Sequence, residues 1–227
     1  MTDRRVDPRL RLAIDASVGW YEDLCALHGV GSIVANGLWS SIEAPPPLHS
    51  DAVVMEPSVT LDEVQRRLEG RTHAGFKDSF GTVQADAAGM EILFSATWIH
   101  REPRDLPAAG TWSALRDAEE LAIWTANHDT ADVLLPGLLT RGHFRILACR
   151  VEGSMVAGAV ARLGSGGVDV SNVHAVPGYA VDWEELAADI GDIFPGRPMV
   201  GYERGDALLA AIDGGFQTVG DLRVWVR

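Results

Sequence analysis

The segment 144–176 constrains the fold of this chain more than any other, because it contains three apolar runs separated by two short turns. One turn is Glu152-Gly153, and the other is the glycine-rich run at 164–167. Apolar runs of this length that flank glycine turns are typical of antiparallel hairpins. The segment therefore predicts a three-stranded antiparallel meander, with strands at 144–151, 155–163 and 168–176.

Helix and strand signals alternate after the meander. Asp182, with Glu185 three positions later, forms the pattern of a capping box in front of apolar residues at helical spacing, and Pro195 and Gly196 end that helix. A short strand is predicted at 199–202, followed by a helix that Asp206 caps and that Gly214 and Gly215 end. A final strand is predicted at 222–226.

The first half of the chain gives weaker signals. Helical spacing predicts a first helix at 9–28, and Thr60 with Glu63 predicts a second one. Strands are predicted at 52–55, 82–88 and 90–99, and residues 71–80 mix glycine with charge and predict a loop. The segment 101–110 has two prolines and no periodicity, so it is the predicted linker, and a helix is predicted after it at 115–124.

The order helix, meander, helix, strand, helix, strand over residues 111–227 resembles the GNAT acyltransferase superfamily. Two short motifs carry the same resemblance: Gly215-Phe216 before the last strand, and 173–177 at the end of the meander. The resemblance implies an α+β fold, with a mixed sheet flanked by helices. We predict two regions, an N-terminal α/β region at 1–110 and a GNAT-like domain at 111–227. Whether 50–100 hold a second, eroded copy of the fold stays open.

The resemblance also implies a cofactor, acetyl-CoA or another acyl-CoA. In this superfamily the pantetheine arm lies beside the end of the third meander strand, and the pyrophosphate meets a glycine-rich turn at a helix N-terminus. The residues that carry these roles over to this chain are Val173, Ala175, Val176, Gly178 and Tyr179.

Two departures from the superfamily's pattern weigh against catalysis. The pyrophosphate turn usually reads Gln or Arg, two residues, Gly, one residue, then Gly or Ala, whereas 178–182 has one glycine and ends in Asp182. A carboxylate that caps the helix would put negative charge where phosphates bind. The tyrosine that many relatives place four residues before the glycine of the Gly-Phe pair is Ala211 here, although Tyr202 lies on the preceding strand.

Acyl transfer to an amine needs a general base near the cleft. Alternation along 168–176 predicts that Asn172 and His174 share a face, and Glu203 follows the next strand. His174 and Glu203 are therefore the candidate bases, with Tyr202 as a further candidate catalytic residue. The alternative is structural, with His174 as a hydrogen-bonded sheet residue and Glu203 as an ion-pair partner of Arg204.

Other motifs predict no chemistry of their own. His49-Ser50-Asp51 has the residue types of a hydrolase triad, but three adjacent residues cannot adopt its geometry, so loop capping is expected. The seven histidines lack zinc-site spacing, and Cys25 and Cys149 lie too far apart in sequence to suggest a disulfide framework.

Composition limits the partners. The net charge is −13, so a nucleic-acid or acidic-membrane surface is not expected. No apolar run reaches the roughly 20 residues of a membrane span. The first ten residues have no apolar core of a secretion signal. We expect a cytoplasmic location.

Three functions follow as expectations. The first is an acyl-CoA-dependent N-acyltransferase, transferring acetyl to the amine of a small molecule or a protein. The second is a non-catalytic GNAT-like protein that has lost pyrophosphate binding and binds a ligand or partner. The third is a structural interaction protein, with a homodimer formed through an exposed sheet edge.

Overall fold

The computed structural model describes residues 6–104 and 107–227. The helices are α1 Pro8–Leu27, α2 Leu61–Arg67, α3 Ala118–Ala126, α4 Trp183–Ile193 and α5 Gly205–Asp213. The strands are β1 Ser32–Ala35, β2 Leu38–Ser41, β3 Ala52–Val54, β4 Gly75–Asp78, β5 Glu91–Arg101, β6 Trp112–Ala114, β7 Phe144–Val151, β8 Ser154–Leu163, β9 Val168–Ala175, β10 Met199–Glu203 and β11 Gln217–Val226. Short 3-10 helices lie at Asp86–Ala88 and Pro136–Thr140.

All of these strands form one 11-stranded sheet, in the order β1-β2-β3-β4-β11-β5-β10-β9-β8-β7-β6. Two pairs are parallel, β3 with β4 and β9 with β10, and a helix connects the strands of each pair. At the centre of the sheet, two strands lie beside partners that are distant in sequence. The last strand, β11, lies between β4 and β5, and β5 lies between β11 and β10.

The helices cover the two faces of the sheet in separate groups. On one face, α1 packs against the central strands, with Ile14 against Trp98 and Val200 in one apolar cluster, and α3 covers the meander through Trp124. On the other face, α4 and α5 cover the meander and β10, while α2 covers β3 and β4. The α1 face is the one that positions the candidate site.

Most elements of the second half agree with the sequence predictions. The three meander strands, the helix after Asp182 and the strand at β10 are confirmed. The Asp182 carboxylate accepts hydrogen bonds from the N–H groups of Glu184 and Glu185, both at 3.0 Å. In the first half, the capping box of Thr60 and Glu63 is also confirmed.

Four sequence predictions of elements are wrong. Residues 75–78 form the buried strand β4 rather than a loop, and 82–88 ends in a 3-10 helix rather than forming a strand. Trp112–Ala114 is a strand that the sequence did not indicate, and α3 begins after it. Arg204, not Asp206, is the N-cap residue of α5, so Asp206 lies in the first turn.

The predicted linker at 101–110 falls partly outside the described residues. The sheet nevertheless contains strands from both sides of it, and α1 contacts β9 and β10 as well as β5. The division at residue 110 therefore stays a prediction, and it concerns which parts of the chain can fold independently.

Candidate active site

The parallel strands β9 and β10 diverge soon after they meet. They pair at Met199 with Val168 and at Val200 with Asp169. Beyond this point β9 continues to Ala175, and within the described residues no strand pairs with that edge. The divergence leaves backbone N–H and C=O groups open along one side of β9.

A bulge at Asn172 shapes the open part of β9. Asn172 has a φ of 52°, in the left-handed region, and the register with β8 shifts here. Ser171 pairs with Val160 and His174 pairs with Gly158, two positions apart on β8. Ser171 and His174 therefore share a face. The bulge breaks the regular alternation on which the prediction that Asn172 and His174 share a face was based, and that prediction stays a prediction.

The predicted cofactor residues at 173–176 differ in the direction in which their backbone N–H and C=O groups point. The Val176 N–H donates to the Val156 carbonyl at 2.9 Å, which extends the ladder with β8. Neighbouring residues of an antiparallel strand direct these groups to opposite sides, so Ala175, and Val173 before it, direct theirs to the open side. Val173 also lines the cavity described next. The Val176 N–H is not available to a ligand.

Two cavities lie on the α1 face beside the divergence. The first has a volume of about 290 Å³ and contains Asp169, Ser171, Asn172 and Glu203 in its wall. The second has a volume of about 370 Å³ and extends toward β4 and β11. They are adjacent, because residues of α1, β4, β5 and β10 line both: Tyr21, Lys77, Phe94 and Tyr202.

Glu203 is a partly buried carboxyl group in the wall of the first cavity. Burial raises its pKa to about 7, against smaller opposing effects of Arg204. The predicted ion pair with Arg204 does not form in the described part of the chain, because the Arg204 guanidinium lies over the Phe94 ring at 4.9 Å. Glu203 can thus exchange a proton near neutral pH.

Tyr202 occupies the wall between the two cavities. Its ring meets Trp98 edge-on at 5.4 Å, and the Lys77 ammonium lies 4.4 Å from its centre. The nearby cation lowers the pKa of Tyr202, but burial and the neighbours Tyr21 and Asp169 together raise it by more than the cation lowers it. The phenol therefore stays protonated. Tyr202 can donate a proton or a hydrogen bond into the cavity.

His174 lies behind another histidine. Its ring stacks on His128 at 4.3 Å, and His128 lines the first cavity. Burial lowers the pKa of His174, and burial also lowers the pKa of His128, to about 4. Nδ1 of His174 contacts the Asn172 carbonyl at 3.0 Å. Both rings are neutral at physiological pH, and His128 is the one that faces the cavity.

The loop predicted to hold pyrophosphate has a turn and a capped helix. Gly178 has a φ of 90°, and the Tyr179 N–H donates to the Val176 carbonyl at 3.1 Å. The first N–H groups of α4 are occupied by the Asp182 carboxylate, and Glu184 and Glu185 add negative charge. Helix N-termini attract anions through free N–H groups, so this one does not suit a phosphate.

The other sequence motifs have structural roles. Both ring nitrogens of His49 are engaged, by the Trp20 indole N–H at 2.9 Å and the Pro47 carbonyl at 2.8 Å, and Asp51 pairs with Arg71. This confirms that His49-Ser50-Asp51 is not a triad. Cys25 and Cys149 are free thiols. Over residues 6–104 and 107–227, no cluster of metal-binding side chains is found, and no helix is long and apolar enough to cross a membrane.

Comparison with solved structures identifies the fold. A GCN5-related N-acetyltransferase from Kribbella flavida is 15% identical, with a TM-score of 0.64, over 98% of this chain and 96% of its own. The chain has the GNAT fold. A GCN5-related N-acetyltransferase-like protein from Streptococcus suis is 12% identical, with a TM-score of 0.55, over 96% and 98%. A functionally unknown conserved protein from Staphylococcus epidermidis is 10% identical, with a TM-score of 0.65, over 87% and 94%.

The likeness extends beyond the half that the sequence indicated. These matches include the N-terminal helix and strands as well as the meander, so the GNAT-like arrangement involves nearly the whole chain. The predicted α+β fold with a mixed sheet is confirmed. The predicted second copy in the first half is not confirmed by these matches. The sequence matches no protein-family model and no curated protein.

Two charged residues of the site, Lys77 and Asp169, were not predicted from the sequence. Lys77 stands in GFKD, where glycine and charge suggested a loop, and Asp169 interrupts an apolar strand. A lone charge inside an otherwise apolar strand was the available signal for Asp169. No local signal marked Lys77.

Proposed function

We propose that the protein is an acyl-CoA-dependent N-acyltransferase that uses the divergence between β9 and β10. The observation that carries the proposal is the open edge of β9 ending at a cavity that contains Glu203. A divergent strand pair can bind the amides of an extended ligand through its backbone, as a sheet edge binds a peptide. A base with a pKa near neutrality is efficient at the pH of the cell.

The residues fit one part of the cofactor and not the other. The open backbone groups of Val173 and Ala175 would hold the amide-bearing arm, and acyl-CoA would supply an activated thioester carbonyl. The capped N-terminus of α4 does not fit the pyrophosphate. Cofactor affinity would therefore come from the arm and the acyl group.

Two side chains would handle protons. Glu203 in its ionised form accepts a proton from the ammonium group of the substrate and leaves an amine that can act as a nucleophile. The protonated Tyr202 is the donor candidate for the leaving sulfur, in place of Ala211, whose side chain is buried in the α5 face and has no proton to donate.

The second candidate is a non-catalytic protein that binds a ligand in the same cavities. The Asp182 cap favours it, because negative charge at the N-terminus of α4 opposes the phosphates of CoA. The two candidates differ in their response to CoA.

Calorimetric titration with CoA and acetyl-CoA separates them. The enzyme predicts binding at millimolar or lower cofactor, together with release of free thiol when an amine is added. No heat and no shift in melting temperature with either compound would contradict it. Glu203→Gln and His174→Ala would then be assayed separately, with exposed Glu69→Gln as the control. Turnover unchanged in both site variants would reject both assignments.

A further inference from the structure

Lys77 is a buried cation at the junction of the two cavities. It is 1% exposed, and its ammonium group donates to the Ser17 hydroxyl at 3.0 Å. The same group lies 4.8 Å from the centre of the Tyr21 ring. Burial would lower its pKa, but Tyr202, Tyr21 and Asp169 outweigh burial and raise it, so Lys77 is charged. Among the described residues no carboxylate lies within ion-pair distance of the ammonium group, and a buried ammonium group without such a contact is costly.

Asp169 is a buried anion that faces the same space. It is 6% exposed and lines the first cavity. Within the described residues its carboxylate has no hydrogen-bond donor and no ion pair, whereas the carboxylates of Asp78 and Asp189 both accept backbone hydrogen bonds. Asp169 is thus a carboxylate without a protein partner that points into a cavity.

The two charges do not satisfy one another. They attract, but their atoms are not within ion-pair distance, and both side chains line the first cavity. A ligand that carries one charge of each sign would bring a partner to both. In a low-dielectric site, leaving either group without a partner costs more than pairing both.

The second cavity adds an apolar requirement. Its wall contains the apolar residues Leu93, Phe94, Val224 and Val226, beside the polar residues Ser50, Asp51, His73 and Arg227. An apolar group that starts at Lys77 and extends into this cavity would leave water without leaving a polar group unpaired.

We propose that the double cavity binds an amine that also bears a carboxylate and an apolar side chain, as an apolar amino acid does. The ammonium group meets Asp169 near Glu203, the carboxylate meets Lys77, and the side chain enters the second cavity. The proposal names a substrate class for the proposed function. Acylation of this ligand rests on the proposed function, whereas its binding does not.

Binding without acyl-CoA tests the substrate class directly. The probes are L-phenylalanine, L-leucine and L-methionine, with phenethylamine and 3-phenylpropionate as analogues of phenylalanine that each lack one charged group. We expect at least one amino acid to bind by calorimetry at millimolar concentration. If phenylalanine binds, each analogue should bind at least about tenfold more weakly. This corresponds to a loss of about 1.4 kcal/mol of binding free energy. Binding of none of the amino acids, or equal binding of an analogue, would overturn the proposal.

Two variants assign the charges. In Lys77→Met, phenylalanine and phenethylamine should bind alike, because the partner of the carboxylate is gone. In Asp169→Asn, phenylalanine and 3-phenylpropionate should bind alike. Retained discrimination in a folded variant, judged by circular dichroism, would overturn the assignment. If a variant does not fold, the analogue series on the unmodified protein still decides.

The two proposals fail separately. Amino-acid binding without turnover in the presence of acetyl-CoA would reject the enzyme and keep the ligand class. Turnover of phenethylamine at the rate of phenylalanine would keep the enzyme and reject the ligand class. Glu69→Gln should bind and react as the unmodified protein does.

Discussion

At the scale of single residues, the site places two carboxylates in the wall of the same cavity, with Asp169 buried and Glu203 partly buried. Burial raises the pKa of Glu203 to about 7 and that of Asp169 to about 6, the latter against the opposing charges of Arg162 and Lys77. The structural carboxylate Glu120 shows the opposite behaviour. Arg116 lowers the pKa of Glu120 to about 2 by direct hydrogen bonding. Burial also raises the pKa of Asp78, so it is their position in the cavity wall that distinguishes Glu203 and Asp169.

We expect Glu203→Gln to lower turnover by about 10²- to 10⁴-fold, the usual contribution of a general base. In the unmodified protein, kcat/KM should rise with pH and level off above about 7, because only ionised Glu203 accepts a proton. The variant should lose that rise. A steady-state pH profile measures it, and an identical profile in the variant would assign the base elsewhere.

Asp169 should make the protein less stable as pH rises. Its pKa is about 6 in the folded protein and 3.8 in the reference state, so between these values the folded state holds more protons than the unfolded state. The free energy of unfolding then falls as pH rises through this window, by about 3 kcal/mol at most. The free energy of unfolding of Asp169→Asn, relative to that of the unmodified protein, should therefore rise between pH 4 and pH 7. Urea titrations across this range measure the difference. A constant difference across this range would contradict the assignment.

At the scale of elements, the divergence of β9 and β10 depends on their close approach just before it. A Cβ added at Gly201 would lie 2.4 Å from the Val170 carbonyl oxygen, which is backbone and cannot move aside. The glycine thus lets the two strands meet where the open edge begins.

We expect Gly201→Ala to lower the free energy of unfolding by about 1–3 kcal/mol, the usual cost of overpacking. It should also weaken CoA binding, because the strands must separate earlier. Gly142→Ala is the matched control, since a Cβ there meets nothing within 4 Å. Equal stability of the two variants in denaturant titrations would show that the strands adjust without cost.

The N-terminus of α4 provides a second prediction at this scale. Asn caps helices as well as Asp does, so Asp182→Asn should keep the helix and remove a charge. We expect CoA to bind about two- to fivefold more tightly, in line with about 0.3–1 kcal/mol for a charge at a helix end. Asp117→Asn, at the similarly capped N-terminus of α3, should leave affinity unchanged. Equal affinities in both variants would place the pyrophosphate away from α4.

At the scale of the whole molecule, the two halves of the chain exchange strands at the centre of the sheet. The strand β5 from the first half separates β10 from β11, and β11 from the second half separates β4 from β5. Each half needs a strand from the other to complete its own hydrogen bonding. If the halves were separated, the long strands β5 and β11 would lie at exposed sheet edges, which would favour aggregation.

We therefore expect the fragments 1–110 and 111–227 not to fold separately, and the intact chain to unfold in one transition. Circular dichroism of each fragment, alone and mixed, measures this, with coincident near- and far-ultraviolet transitions as the test of the intact chain. Cooperative unfolding of 111–227 alone would support the predicted division at residue 110.

The edges of the sheet bear on the predicted homodimer, which stays a prediction. Strand β1 forms one edge and β6 the other, and β1 exposes Ile33 and Val34. If copies associate through β1, Ile33→Lys should shift the protein to monomer in analytical ultracentrifugation. The same mass for both proteins would place any association elsewhere.

Features that depend on neighbouring residues could be predicted from the sequence alone. Turn glycines and apolar runs predicted the meander, Asp182 predicted the cap of α4, and the order of elements predicted the GNAT fold in the second half. These rest on local hydrogen bonding and on which residues avoid water, and both can be read along the chain.

The position of the charged side chains in the cavities follows from the tertiary fold. Lys77 and Asp169 are far apart in sequence and meet one cavity because β4 and β9 belong to the same sheet. The sequence 75–78 resembles a loop, since glycine and charge are rare in buried strands, and its lysine is stable there only because α1 and β10 surround it. Local patterns do not record such long-range pairing, and the site consists of it.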